Sequence, residues 1–261
     1  MKMKNKKNKI RIAFAGDRDI AVKVLEFIIG SGVKPLALLL PEKEKASHFN
    51  DLVSLCPYLD SKYILIGKKF RTEEGVRILK SLDLDYIISV HFPYIYPKDV
   101  IKIPRHGIIN LHPAYLPYNR GWHTPTWAIW ENTPYGATLH FVDEGIDTGD
   151  IIHQKKLEIF PHDTADSLYK RVKELEFEVF KEAWPLLLSF RYKRKPQPKW
   201  GTFHRKSDIK KLQKLNLNQV MKVGDLIRLL RALTTSNIQE AAYFILHNKK
   251  YRVLIKIVPE N

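Results

Sequence analysis

Between residues 10 and 90 short apolar runs alternate with stretches of helical spacing, a pattern that few folds accommodate. Residues 10–15 form a buried-type run, 19–30 carry apolar side chains at helical spacing, and 36–40 are again strand-like, so the segment 9–40 reads as a βαβ unit. A strand at 63–67, a helix at 73–81 and a buried strand at 85–90 continue the series. Apolar strands separated by amphipathic helices need cover on both faces, which a parallel sheet between helix layers provides. The expected fold class is therefore α/β, a Rossmann-like, mostly parallel sheet with helices on both faces. Ligands of such sheets bind beyond the carboxyl ends of the strands, where the winding reverses. Gly16 follows the first strand, but no second and third glycine stand at dinucleotide spacing, so it reads as a tight turn and NAD is set aside.

Further along, 108–111 and 136–142 read as strands bracketing a proline-rich loop and a helix at 126–130. A long helix covers 164–188, opened by a cap at Asp163 and ending near or shortly after Pro185. Pro196-Gln197-Pro198 reads as a linker. Beyond it stand a helix at 223–233 and a β-hairpin of 241–246 and 251–257 around 247–250. The expected organisation is a disordered basic leader at 1–9, a catalytic domain at 10–195, and a C-terminal subdomain at 196–261 with a substrate-contacting loop, a helix and the hairpin.

The net charge is +16. Lys2, Lys4, Lys6, Lys7 and Lys9 account for five of it, leaving +11, and a second basic stretch at 191–214 interleaves Tyr192, Trp200, Phe203 and His204. Cations beside flat rings suit a ligand with phosphates and a base. They also suit single-stranded nucleic acid, and solvated surface lysines give the same pattern. The longest apolar runs fall far short of the roughly 20 residues needed to cross a bilayer, and no signal-peptide core is visible. A cytoplasmic protein without a membrane partner is expected. Cys56 is the only cysteine, which excludes an intrachain disulfide and a thiolate metal cluster.

Asn110 and His112 are two apart, so on a strand their side chains share a face. Asp147 follows a separate strand, between Gly145 and Gly149. Amide, imidazole and carboxylate together can hold a carbonyl oxygen, stabilise charge on it and manage a proton. On spacing alone a capping Asn, a satisfied core His and a turn Asp are commoner roles.

The run Asn110-Leu111-His112-Pro113-Ala114-Tyr115-Leu116-Pro117, followed by Gly121, Pro125, Ala128-Ile129 and the segment 138–149, resembles the formyltransferases that use N10-formyltetrahydrofolate. The similarity spans residues 10–208. It implies that Asn110, His112 and Asp147 are the catalytic trio. An amine attacks the formyl carbon, Asn110 and protonated His112 stabilise the oxyanion, and Asp147 keeps the imidazole cationic and accepts the amine's proton, directly or through water. It further implies a folate pocket between the loops 89–96 and 142–147, with Phe92, Tyr94 and Asp143 as cofactor contacts, and a cis Leu116–Pro117 peptide. No metal is required, and no metal-ligand spacing is visible.

The tail 226–233 and 241–244, with Tyr118-Asn119-Arg120-Gly121-Trp122, resembles the sugar-nucleotide members of that family. The resemblance implies as acceptor a dTDP-linked 3- or 4-amino-dideoxyhexose, such as dTDP-4-amino-4,6-dideoxyglucose, whose product enters surface polysaccharide. Tyr118, Arg120, Trp122, Trp200, Phe203, Arg205 and Lys206 are the expected substrate contacts, supplying the rings and cations that a nucleoside diphosphate needs. Partners are then the nucleotide sugar and folate rather than nucleic acid. A lone hairpin with an apolar face favours a homodimer through the tail. The alternative is an enzyme like methionyl-tRNA formyltransferase, but a helix and one hairpin after Asn218 are too small for the C-terminal barrel those enzymes carry. A non-catalytic nucleotide-sugar binder, the third possibility, is at odds with an intact trio.

Overall fold

The computed structural model describes residues 10–260; the leader expected at 1–9 lies outside them. The chain runs β1 (Ile12–Gly16), α1 (Arg18–Gly30), β2 (Ala37–Leu40), α2 (Phe49–Ser54), β3 (Ile64–Ile66), α3 (Glu73–Ser81), β4 (Tyr86–Val90), α4 (Lys98–Ile101) and β5 (Gly107–His112). It continues through β6 (Arg120–Gly121), α5 (Thr124–Trp130), β7 (Tyr135–Phe141), β8 (Ile151–Leu157), α6 (Ala165–Leu188), β9 (Phe203–His204), α7 (Lys210–Gln213), α8 (Val223–Ala232), β10 (Ala242–Leu246) and β11 (Lys249–Val253). Two compact units result. The first holds residues 10–112, 139–145 and 180–193, and the second 113–138, 146–179 and 194–260.

In the first unit β1 lies between β2 and β4, with Ala13 opposite both Ala37 and Ile87, and β3 and β5 pair outside them; all four pairings are parallel. The strand order is β3-β2-β1-β4-β5, followed by the end of β7. Every residue of β1, β2 and β4 is buried, as parallel strands covered on both sides require. Side chains alternate between the faces. Ala13, Ala15, Leu39 and Ile87 join Leu79 of α3 and Phe70 in one core cluster. Each such leucine contributes about 1.5–3 kcal/mol by leaving water. The winding reverses between β1 and β4, and the chain leaves β1 at Gly16. This glycine serves close approach rather than the turn expected: a Cβ there would stand 2.9 Å from both the Val90 carbonyl oxygen and the Ala21 Cβ.

The start of β7 and β8 belong to the second unit, where the two strands are neighbours. The strand β8, Ile-Ile-His-Gln-Lys-Lys-Leu, is absent from the sequence reading because only its ends are apolar. At the start of α6 the capping atoms belong to Thr164 and Ser167, each accepting the other's backbone N–H at 3.3 and 2.9 Å, and not to Asp163. The Asp163 carboxylate is buried and paired with Arg171 at 2.5 Å. The helix passes through Pro185 and ends at Leu188.

In the tail, β10 and β11 pair around His247 and Asn248, whose φ angles of 47° and 62° make a tight two-residue hairpin turn, shorter than the four residues expected. Leu229 of α8 and Leu233, just beyond its end, pack with Ile209 and Ala242. The Leu116–Pro117 peptide is cis. No helix of the described residues is long and apolar enough to cross a membrane.

Candidate active site

β5 places Asn110, the register partner of Ser89 in β4, and His112 at its carboxyl end on one face. His112 is buried. Beside them stands His140 of β7, which is 1% exposed in a strand buried at all seven positions. Its Nδ1 lies 2.8 Å from the Phe141 carbonyl oxygen, and its Nε2 lies 3.2 Å from the Asn110 Nδ2. A carbonyl only accepts, so the ring proton sits on Nδ1 and donates to it. The lone pair on Nε2 then takes one N–H of Asn110, which sets the amide with its donor end toward the histidine. The rings of His112 and His140 meet edge to face, with centroids 6.1 Å apart. His140 is a neighbour of Asn110 and His112 that the sequence reading does not single out. A histidine flanked by Leu139 and Phe141 within a strand run was the available signal.

Phe92 and Tyr94 come together in an aromatic cluster with Phe70 and Tyr96, their own centroids 5.3 Å apart. The Tyr94 hydroxyl donates to Glu42, and this bond holds the Glu42 carboxyl at about 2 while pushing the phenol up to about 12. Asp143 is exposed, and its carboxylate accepts the Gly145 N–H at 3.0 Å, closing a turn. Each of these three residues therefore has a structural task in its loop.

Asp147 belongs to the second unit. It takes a left-handed conformation, with φ of 54°, and its Oδ2 accepts the backbone N–H of Gly121 at 2.9 Å. Its carbonyl accepts from Gln197 at 3.0 Å. Arg120, expected at the substrate, is 8% exposed, and its guanidinium donates to Gln197 Oε1 at 2.8 Å and to the Pro198 carbonyl at 3.2 Å. A side chain this buried is engaged with the chain's own segment 197–198, which was read as a mere linker.

The remaining expected substrate residues are gathered by one short ribbon. β6 pairs in parallel with β9, setting Gly121 opposite His204, and backbone bonds from Arg120 to Thr202 and from Trp122 to His204, both 3.0 Å, fasten the two. Tyr118 thereby meets Trp200 at 5.6 Å between centroids, and the Lys206 ammonium lies 4.8 Å over the Trp122 ring. Trp122, Trp200, Phe203, Arg205 and Lys206 are exposed. Aromatic rings beside cations form a surface suited to a base and its phosphates. No group of three or more His, Cys, Asp or Glu residues able to hold a metal ion occurs among the described residues.

Residues 42–184, more than half of the chain, match the family described as Formyl transferase. The chain belongs to the formyltransferase family. Residues 208–259 of this formyltransferase match a second family, the N-formyltransferase dimerization C-terminal domain. It is 30% identical over 176 residues to the dTDP-4-amino-4,6-dideoxyglucose formyltransferase of Mycobacterium bovis, covering 67% of this chain and 74% of that one. It is 32% identical over 197 residues to the methionyl-tRNA formyltransferase of Myxococcus xanthus, covering 73% of this chain and 62% of that one. The X-ray structure of a sugar N-formyltransferase from a Shewanella species aligns with a TM-score of 0.83 at 25% identity, over 97% of this chain and 99% of that one. The formyltransferase thus has the α/β fold expected, with its small C-terminal hairpin.

Proposed function

We propose that the chain transfers a formyl group from N10-formyltetrahydrofolate to the amino group of a dTDP-linked 3- or 4-amino-dideoxyhexose, for surface polysaccharide. The carrying observation is the correspondence with a sugar N-formyltransferase over nearly the whole of both chains, tail included. The likeness to the tRNA enzyme stops at 62% of that protein's length and so leaves its remainder without a counterpart in the alignment. The exposed Trp122, Trp200, Phe203, Arg205 and Lys206 of the ribbon, with the half-buried Tyr118, support a nucleoside diphosphate.

Asn110, His112 and Asp147 are the proposed catalytic residues. The neutral amine of the sugar adds to the formyl carbon, and the carbonyl's π electrons move to its oxygen. Asn110, pre-set by His140, and His112 donate hydrogen bonds that strengthen as this charge develops. Asp147 takes the amine's proton, directly or through water, and the intermediate collapses by expelling the folate nitrogen, which is protonated as it leaves. Phe92, Tyr94 and Asp143 are the proposed folate contacts. Catalysis proper belongs to 10–195 and acceptor recognition extends into 196–261, as the division of motifs suggests.

Incubation with N10-formyltetrahydrofolate and a panel of dTDP-3- and dTDP-4-aminosugars, read by mass spectrometry, is expected to give one product heavier by a single carbonyl. Formylation of methionyl-tRNA and of no aminosugar would overturn the assignment.

We also propose a homodimer through the tail, in the cytoplasm. Ile245, Leu246, Tyr251 and Leu254 are 42–51% exposed on and beside the hairpin, and the region matches a dimerization domain. Light scattering is expected to give twice the chain mass for the wild type and the single chain mass for Ile245→Glu combined with Tyr251→Glu. A monomeric wild type at micromolar concentration sinks the idea.

A further inference from the structure

Resting on the function just proposed, we infer that Gln197 is a positioning residue for the reaction, the side chain that fixes the Asp147 loop against the strand β6. Both ends of its amide are used. Nε2 donates to the carbonyl oxygens of Asp147 at 3.0 Å and Gly149 at 2.7 Å. Oε1 accepts from the Arg120 guanidinium, through Nε at 3.2 Å and Nη2 at 2.8 Å. These partners fix which way the amide points. Arginine only donates and a backbone carbonyl only accepts, so a flipped amide would set N–H against N–H and oxygen against oxygen.

The loop held in this way needs holding. The left-handed conformation of Asp147 costs a residue with a Cβ about 1–2 kcal/mol, and it persists only where neighbours over-determine it. Three contacts do so here. Gln197 grips the carbonyl of Asp147 and that of the glycine two residues on, and the Gly121 N–H holds the carboxylate at 2.9 Å. The same two residues, Arg120 and Gly121, form β6, whose partner β9 carries Phe203 and precedes Arg205 and Lys206. The carboxylate that takes the amine's proton and the ribbon that reads the nucleotide are therefore set in one register by a single glutamine and its arginine. Gln197 lies between the two matched regions, past 184 and before 208, in a stretch neither family match covers.

The decisive variant is Gln197→Glu. It keeps an acceptor for Arg120 but loses both hydrogens and turns a carboxylate oxygen toward the carbonyls of Asp147 and Gly149. The expected kcat falls about 10- to 100-fold, the range that a displacement of an ångström produces, with acceptor KM and dTDP affinity unchanged. In an Asp147→Asn background, followed in single turnovers, the same change should cost nothing further, because its effect passes through the carboxylate. A glutamine that merely anchored Arg120 would leave the Gln197→Glu rate at the wild-type level, and one that merely stabilised the fold would cost the same factor in both backgrounds. Either result overturns the positioning role. Gln197→Met, of similar volume and without donors, must show the same loss in the wild-type background and none in Asp147→Asn; this pair decides the matter if the glutamate variant fails to fold, because loss of the Arg120 anchor alone would cost the same factor in both backgrounds. A wild type that formylates no aminosugar overturns the functional reading instead, and the role of Gln197 falls with it.

Discussion

Asp147→Asn is expected to lower kcat by about 10²–10⁴-fold, the range for loss of a positioned proton acceptor, while dTDP binding stays near the wild-type level. The change isolates charge from geometry. Asparagine keeps an oxygen able to accept the Gly121 N–H that now reaches Oδ2 at 2.9 Å, so the loop retains its tie to β6. Only the negative charge and the proton affinity are lost. His112→Ala should give a loss of similar size by removing a donor to the developing oxyanion, and Asn110→Ala about 10²–10³-fold for the same reason. Because Asn110 is preset by His140 rather than by either ligand, truncating it should leave binding intact and move kcat alone. Steady-state rates with both substrates saturating, alongside calorimetric titration with dTDP, separate the two effects. Any of the three variants turning over at near the wild-type rate removes that residue from the proposed chemistry.

What the sequence disclosed follows from how local each signal was. The βαβ series was legible because Ile12–Gly16, Ala37–Leu40 and Tyr86–Val90 are buried without interruption, and the helix Glu73–Ser81 falls at its expected limits. Asn110 and His112 could be paired because both lie within one strand. β8 was illegible, since its interior of His153, Gln154, Lys155 and Lys156 carries no apolar alternation. The anchoring of Arg120 was illegible because it depends on a partner 77 residues away. Gln197 looked like a linker for the same reason, being defined by contacts to Arg120 and Asp147 that no local pattern announces.

Gly121→Ala should be a damaging single-methyl change in the second unit. The backbone at Gly121 has φ of 90°, where a side chain is strained, and an added Cβ would stand 2.3 Å from the His204 carbonyl oxygen and 3.2 Å from the Phe203 ring. Neither can yield cheaply, because that carbonyl already accepts the Trp122 N–H at 3.0 Å. β6 must then move off β9, loosening the bonds between them and the N–H that Gly121 gives to Asp147. Strain together with one or two weakened hydrogen bonds amounts to about 2–4 kcal/mol, roughly 5–15 °C in Tm. Activity should suffer in both parameters, since the ribbon bears the proposed nucleotide contacts and also holds the carboxylate: acceptor KM rises and kcat falls together. Gly224→Ala supplies the control, because a Cβ there meets nothing within 4 Å and the position lies in the first turn of α8, where alanine is the better helix former. Differential scanning calorimetry and initial rates on the pair decide the point. A Gly121→Ala protein that melts with the wild type and keeps its kcat/KM would mean that the ribbon does not tie the acceptor surface to Asp147.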